Sequence, residues 1–369
     1  MRVAIFIPSY GDGGVERMLV NLAGGLAARG LAVDFLTRSR SAPYLDRLDP
    51  RVRLIETPAG QLSTAWQLWR YLRREAPAVV LCGKDRAGRM VARVRRFGAS
   101  ACRLVMRPGT TYSQRFAELG PWSAWRARRR VQRVYRGADA VVGNAQAVVD
   151  DVIRVAGLPP GRVHLIHNPV VTPDLLAQAA GPATLPGFEA QDVPVILAVG
   201  RLGQVKGFDV LIRAFARLRA GRPLRLVILG EGRLRASLEQ LAASLGVADA
   251  VALPGFEPNP YPYVARAALF VLSSRREGSP NALTEALALG TPVVATDCPS
   301  GPREVLDGGR VAPLVPVDDE AALAEAMAQV LAAPGDPEAR RAAVRDYRVE
   351  RCAERYHALF EQLAGGRGA

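Results

Sequence analysis

The chain has 369 residues, 49% of them hydrophobic, and a formal net charge of +14. That size and apolar content suit two separate cores. Its cysteines, Cys82, Cys102, Cys298 and Cys352, stand far apart with no C-x-x-C pair, and His164, His167 and His357 form no cluster. Neither a disulfide framework nor a zinc site is suggested by this spacing. No run approaches the ~18 apolar residues of a spanning helix, and Val3–Ile7 is too short for a signal-peptide core, so a soluble cytoplasmic protein is expected.

The charge is unevenly placed. Residues 1–169 hold 28 Lys and Arg against 12 Asp and Glu, whereas residues 170–369 hold 21 against 23. A basic first half, densest between Arg86 and Arg136, suggests that this half meets a polyanion such as an anionic membrane surface or nucleic acid. An Arg-rich proteome would also supply arginine, but the near-neutral balance of residues 170–369 weakens that alternative.

In chain order, R-V-A-I-F-I at Arg2–Ile7 reads as a strand. It leads through a Gly-rich loop, Gly11–Gly14, into a helix from about Val15 to Arg29. G-D-G-G-V-E is not G-x-G-x-x-G, and no acidic residue ends the second strand at Ala32–Leu36, so a dinucleotide site is not expected. Strands follow at Val52–Ile55, Val79–Leu81, Arg103–Met106, Ala138–Gly143 and Val163–Ile166, with helices near Ser63–Arg74 and Ala87–Arg95. Residues 170–192, broken by prolines and glycines, read as a linker.

The pattern then restarts. Strands at Val195–Val199, Arg225–Leu229 and Val251–Leu253 alternate with helices Phe208–Arg219 and Leu234–Leu245. Ala268–Leu272 is a buried strand, Val293–Thr296 another, and a short helix spans Arg303–Leu306. Helices at about Glu320–Leu331 and Pro337–Leu363 close the chain. Alternation of this kind gives two doubly wound α/β domains, 1–169 and 193–345, facing across a cleft. Residues 346–369 are expected to brace the first domain.

The most informative stretch is E-G-S-P-N-A-L-T-E at Glu277–Glu285. Ser279 as N-cap and Pro280 as first residue predict a helix running to Gly290. Its apolar positions surround Glu285, the only charge between Glu277 and Asp297. A buried carboxylate needs a donor, either a ligand hydroxyl or a structural partner. Asn281 sits at the same helix N-terminus, where free N–H groups favour an anion. Arg201 and Lys206, five apart around a turn, are spaced to straddle a diphosphate or to sit on an ordinary surface loop. These groups and Gly255 all fall at C-terminal strand ends, where open α/β sheets bind ligands. There is no Asp-x-Asp for a divalent metal, so no metal and no cofactor are expected; arginine and lysine would neutralise phosphate instead.

The motifs G-R-L…K-G-F-D-V-L-I-R-A-F, L-G-E-G, L-P-G-F and E-G-S-P-N-A-L-T-E-A-L-A-L-G-T-P-V-V-A-T-D-C-P-S-G-P-R-E-V-L resemble the retaining GT-B glycosyltransferases of family four, group 1. G-G-V-E-R and V-V-G-N-A-Q-A-V are similar to the N-terminal half of that family. The resemblance implies that Arg201 and Lys206 bind the donor diphosphate, that Glu277 contacts the donor sugar and that Glu285 holds the ribose. It also implies that Gly278, Ser279 and Asn281 approach sugar and phosphate, that Gly255 and Phe256 lie by the base, and that Gly13 and Gly14 lie by the phosphate. Many relatives place a histidine after the strand matching Arg103–Met106. Here Arg107 and Thr110 are the acceptor-side candidates, and no acid/base role transfers to them. Bacterial relatives with D-C-P-S-G-P-x-E often build surface polysaccharides, including lipopolysaccharide, on UDP-sugars.

Trp122–Arg136 reads as a helix with Ala124, Ala127, Val131, Val134 and Tyr135 on one face. Trp122, Trp125, Arg126, Arg129, Arg133 and Arg136 gather on the other, as suits anionic lipid headgroups or a solvated basic face. The expectation is transfer of a sugar from a nucleotide-sugar to a lipid-linked or oligosaccharide acceptor at the inner membrane face. Rivals are a sugar-nucleotide epimerase or hydrolase on the same fold, and a basic nucleic-acid-binding protein. With 6% aromatic residues and no recognition module, no nucleic-acid partner is expected.

Overall fold

The computed structural model describes every residue except 10, 12–13, 40–41, 99–100, 186–187, 189–192, 221 and 367–369. The chain divides into two compact units, Met1–Val170 with Tyr347–Ala369, and Val171–Asp346.

The first unit begins β1 (Arg2–Ile7), α1 (Gly14–Ala28), β2 (Ala32–Thr37), β3 (Arg53–Glu56), α2 (Gln61–Glu75) and β4 (Val79–Cys82). It continues α3 (Asp85–Arg96), β5 (Arg103–Met106), α4 (Tyr112–Ala117), α5 (Pro121–Arg136), β6 (Ala140–Gly143), α6 (Gln146–Ala156) and β7 (Val163–Leu165). Its seven-stranded sheet has the order β3-β2-β1-β4-β5-β6-β7, with Ile5 paired to Phe35 on one side and Leu81 on the other. All its pairings are parallel. V-V-L-C of β4 is buried at every position, because helices cover both faces of a parallel sheet.

The second unit holds α7 (Leu175–Ala179), β8 (Val195–Val199), α8 (Phe208–Arg219), β9 (Arg225–Leu229), α9 (Arg235–Ser244), β10 (Val251–Gly255) and α10 (Tyr261–Arg266). Next come β11 (Leu269–Leu272), α11 (Asn281–Leu289), β12 (Val293–Thr296), α12 (Pro302–Val305), β13 (Leu314–Val315), α13 (Glu320–Ala332) and α14 (Pro337–Ala343). Its parallel sheet runs β10-β9-β8-β11-β12-β13. In each unit the strand order reverses beside the first strand, between β1 and β4 and between β8 and β11.

The last helix, α15 (Val349–Gly365), belongs to the first unit. It packs on α1, where Gly25 admits Val349 and Ala353, and buries Tyr356 and Phe360 completely. Helices α1 and α15 cover one face of the first sheet; α2, α3, α5 and α6 cover the other.

Three boundaries differ from the sequence reading. Helix α11 begins at Asn281, not at Ser279–Pro280, because Pro280 caps it with ψ 84°, outside the helical range. The Ser279 hydroxyl is buried and caps nothing. The expected helix over Pro337–Leu363 is broken into α14 and α15 by a 3-10 turn at Arg345–Tyr347 and by Arg348, extended at φ −67°, ψ 141°. The chain passes there from one unit to the other. Within the expected linker, α7 packs on α10 of the second unit.

Candidate functional site

In the second unit several polar side chains meet where the neighbouring strands β8 and β11 end. Past β8, Gly200 and the exposed Arg201 lead to a 3-10 turn at Gln204–Lys206 and to Gly207 at φ 62°. A Cβ on Gly207 would drive into the Ser273 carbonyl oxygen beyond β11, so only glycine lets the two strand exits touch. Ser273 Oγ donates to the Lys206 carbonyl at 2.9 Å, fixing the turn. The guanidinium of Arg275 grips the same turn from outside, donating to the Gln204 carbonyl at 2.7 Å and to Asp209 and Asp318.

On this frame Lys206 Nζ meets Glu277 Oε1 at 2.7 Å, and Ser274 Oγ donates to the same oxygen at 2.7 Å. The lysine is about one-quarter exposed and the glutamate one-eighth, at 26% and 12%. One oxygen of Glu277 is thus held by two donors beside a partly open face. Behind it, burial and then the Glu277 charge push the Cys298 thiol up to about 12. The loop after Glu277 is also fixed: the buried Gly278 carbonyl accepts from Ser300 Oγ at 2.8 Å. Asn281 opens α11, and one turn on lies Glu285, 2% exposed, whose Oε1 accepts from Tyr261 Oη at 3.4 Å. Gly255 ends β10 with φ 110°, and Phe256 beyond it is 47% exposed.

The first unit has a matching pair at its own reversal point. Lys84, after β4, donates to Glu16 Oε1 and to the Ser9 carbonyl, each at 2.6 Å. The Gly11 amide donates to the same Glu16 oxygen at 3.1 Å. Gly14 is the exposed first residue of α1, while Gly13 lies outside the described residues. Arg107 does not line an open surface: it is 2% exposed, donates to Asn168 Oδ1, and has Tyr356 of α15 beside it. Burial lowers its pKa, and Tyr356 opposes that shift. The surface position after β5 is Thr110, which is exposed.

The structure therefore brings Lys206 and Glu277 together and places Arg201, Gly278, Asn281 and Glu285 on the loops and helix around the β8 and β11 exits. Sequence reasoning missed Ser274, Arg275 and Tyr261 as partners, although S-S-R-R-E carried the first two. It also missed Glu16–Lys84, a pair 68 residues apart.

Two parallel Rossmann-like units, each with charged groups beside its strand reversal, define a protein of the GT-B class. Residues 193–333 match the Glycosyl transferases group 1 family and residues 12–173 match Glycosyltransferase Family 4. The chain is 32% identical to a D-inositol 3-phosphate glycosyltransferase of Xylanimonas cellulosilytica, over 89% of this chain and 86% of that one. It is 29% identical to the N-acetylgalactosamine-N,N'-diacetylbacillosaminyl-diphospho-undecaprenol 4-alpha-N-acetylgalactosaminyltransferase of Campylobacter jejuni, over 89% and 90%. Anabaena HepE in complex with UDP and glucose has the same fold, with TM-score 0.80 and 18% identity over 98% of this chain and 100% of that one. The chain belongs to glycosyltransferase family 4 and is an enzyme that transfers sugars.

Proposed function

We propose that the chain transfers a sugar from a UDP-sugar to a lipid-linked or glycan acceptor at the inner membrane face, with retention and without a metal, in surface-polysaccharide biosynthesis. The observation that carries this reading is the Lys206–Glu277 pair, buttressed by Ser274 and Arg275, at the strand reversal of the second unit. Ligands of open α/β sheets bind at such points. The UDP complex of a protein with this fold and the undecaprenol-linked acceptor in the name of the Campylobacter relative support the choice of donor and acceptor.

Lys206 and Arg201 neutralise the donor diphosphate and stabilise the charge that grows on it as the C1–oxygen bond breaks. The acceptor oxygen bonds to C1 on the face the diphosphate leaves, and its proton passes to a departing phosphate oxygen. Glu277 orients Lys206 and meets the donor sugar. Glu285 accepts from the ribose hydroxyls, Gly278, Ser279 and Asn281 approach sugar and phosphate, and Gly255 and Phe256 flank the base. In this reading the positive charge that offsets the diphosphate comes from Arg201 and Lys206.

A thermal-shift panel of UDP-, GDP- and ADP-sugars, with and without EDTA, tests this. UDP-sugars should raise the melting temperature by mass action, unaffected by EDTA. Glu285→Ala should abolish that shift, and a variant that binds the donor normally would remove the ribose assignment.

A further inference from the structure

The pentapeptide W-x-x-W-R occurs twice, at 66–70 and 122–126, and the two copies hold all four tryptophans of the chain. One copy lies on α2, the other on α5, and α3 packs against both. The three helices share the same face of the first sheet. Trp66, Trp122 and Trp125 are 58%, 67% and 46% exposed, and Leu62 and Phe97 reach 88% and 79%. Trp122 stacks on Trp125 with centroids 4.9 Å apart. Arg70, Arg73 and Arg129 lie over Trp66, Trp69 and Trp125 at 4.7, 5.0 and 4.7 Å. Trp69 Nε1 donates to the Phe97 carbonyl at 3.2 Å, tying α2 to the end of α3.

The charge on these three helices is one-sided, whereas α6 on the same face carries Asp150 and Asp151 against Arg154. Helices α2, α3 and α5 carry three, five and six arginines, against one carboxylate each on α2 and α3 and none on α5. Glu75 is taken up by Arg2 and Arg53, and Asp85 accepts from the hydroxyls of Tyr112 and Tyr135. On the opposite face of the same sheet, α15 has two arginines and three glutamates, so the positive excess is not shared by that helix.

We propose that the outer surfaces of α2, α3 and α5 form one docking platform for an anionic lipid bilayer. This rests on the membrane-surface reading of α5 and widens it from one helix to three. Arginines meet headgroup phosphates while the indoles, Leu62 and Phe97 enter the boundary between headgroups and acyl chains. Guanidinium-capped indoles suit that depth, with a flat apolar ring below and a cation above. The aliphatic Leu62 gains nothing from a polyanion such as RNA, which favours the bilayer.

The test is co-sedimentation of the full chain with phosphatidylcholine vesicles, with and without phosphatidylglycerol, alongside tryptophan fluorescence. The chain should bind only the anionic vesicles, more weakly as salt rises, and its emission should shift to the blue. Arg126, Arg129, Arg130 and Arg133 changed to Ser should weaken binding more than a hundredfold, at about fivefold per arginine near the surface. Leu62→Ser with Trp66→Ser should weaken it about tenfold, with UDP-sugar binding unchanged. Phe97→Ser, at an exposed helix end, gives the same reading should the double variant melt early. If the folded α2 variant and Phe97→Ser both bind as tightly as wild type, the platform is overturned and α5 stands alone. No binding by the wild-type chain, or salt-steep binding to RNA with none to vesicles, overturns both.

Discussion

At the scale of single residues, Glu277 tests whether the paired charges act in chemistry or only in structure. Glu277→Gln keeps the volume and an oxygen for Ser274 but removes the charge that holds Lys206. If Glu277 orients Lys206 and the donor sugar in the transition state, kcat should fall by about 10²–10³ while UDP affinity changes little. Steady-state kinetics with UDP titration will separate the two; an unchanged kcat assigns Glu277 to structure alone. Asp34 is the contrasting case. It is buried in the first unit, and although burial raises its pKa, hydrogen bonds from Arg53, Tyr71 and Arg2 bring it below the ordinary aspartate range. The stabilisation from this pairing is complete above the unfolded pKa and is lost as pH falls through the lower folded one. Asp34→Asn should lower the melting temperature at neutral pH, and the gap to wild type should narrow in acid; melting curves across that range will show it.

At the scale of elements, Gly207 is the position where backbone geometry sets the site. Its φ of 62° and its contact with Ser273 leave no room for a side chain. Gly207→Ala should cost about 1–3 kcal/mol and weaken UDP-sugar affinity, since the Lys206 turn must shift. Chemical denaturation and donor titration measure the two effects. The same scale explains what the sequence disclosed. Continuous apolar runs such as V-V-L-C and L-F-V-L announced parallel strands covered on both sides, and an isolated glutamate inside A-L-T-E-A-L-A-L announced a buried carboxylate. What stayed hidden was set by contacts made far away along the chain. Glu16 and Lys84 meet because β1 and β4 are neighbours, which no local pattern encodes. The sequence from Pro337 onward reads as one helix, yet a 3-10 turn at Arg345–Tyr347 and the extended Arg348 break it where the chain passes between units. Arg107 was an acceptor-side candidate because it follows the strand after which many relatives place a histidine; α15, arriving from the far end of the chain, lies beside it and it is buried.

For the whole molecule, the two units differ in how they use the chain. The second is one continuous segment, Val171–Asp346, whereas the first needs both termini. A fragment of residues 1–170 loses Tyr356 and Phe360 from its core, each fully buried. Such losses cost about 3–5 kcal/mol apiece, comparable to the stability of a domain. That fragment should expose apolar surface and aggregate, while residues 171–346 should melt cooperatively; scanning calorimetry of both fragments checks this. The junctions themselves lie side by side: the Val170 amide donates to the Tyr347 carbonyl at 3.2 Å, and the rings of His167 and Tyr347 stack at 4.4 Å. The second unit is therefore inserted into the first like a cassette, leaving and rejoining its host at neighbouring residues. Exchange of the second unit between relatives needs only two crossovers, one at each of these junctions, and leaves the host core uncut, a route open to evolution and to chimera design alike.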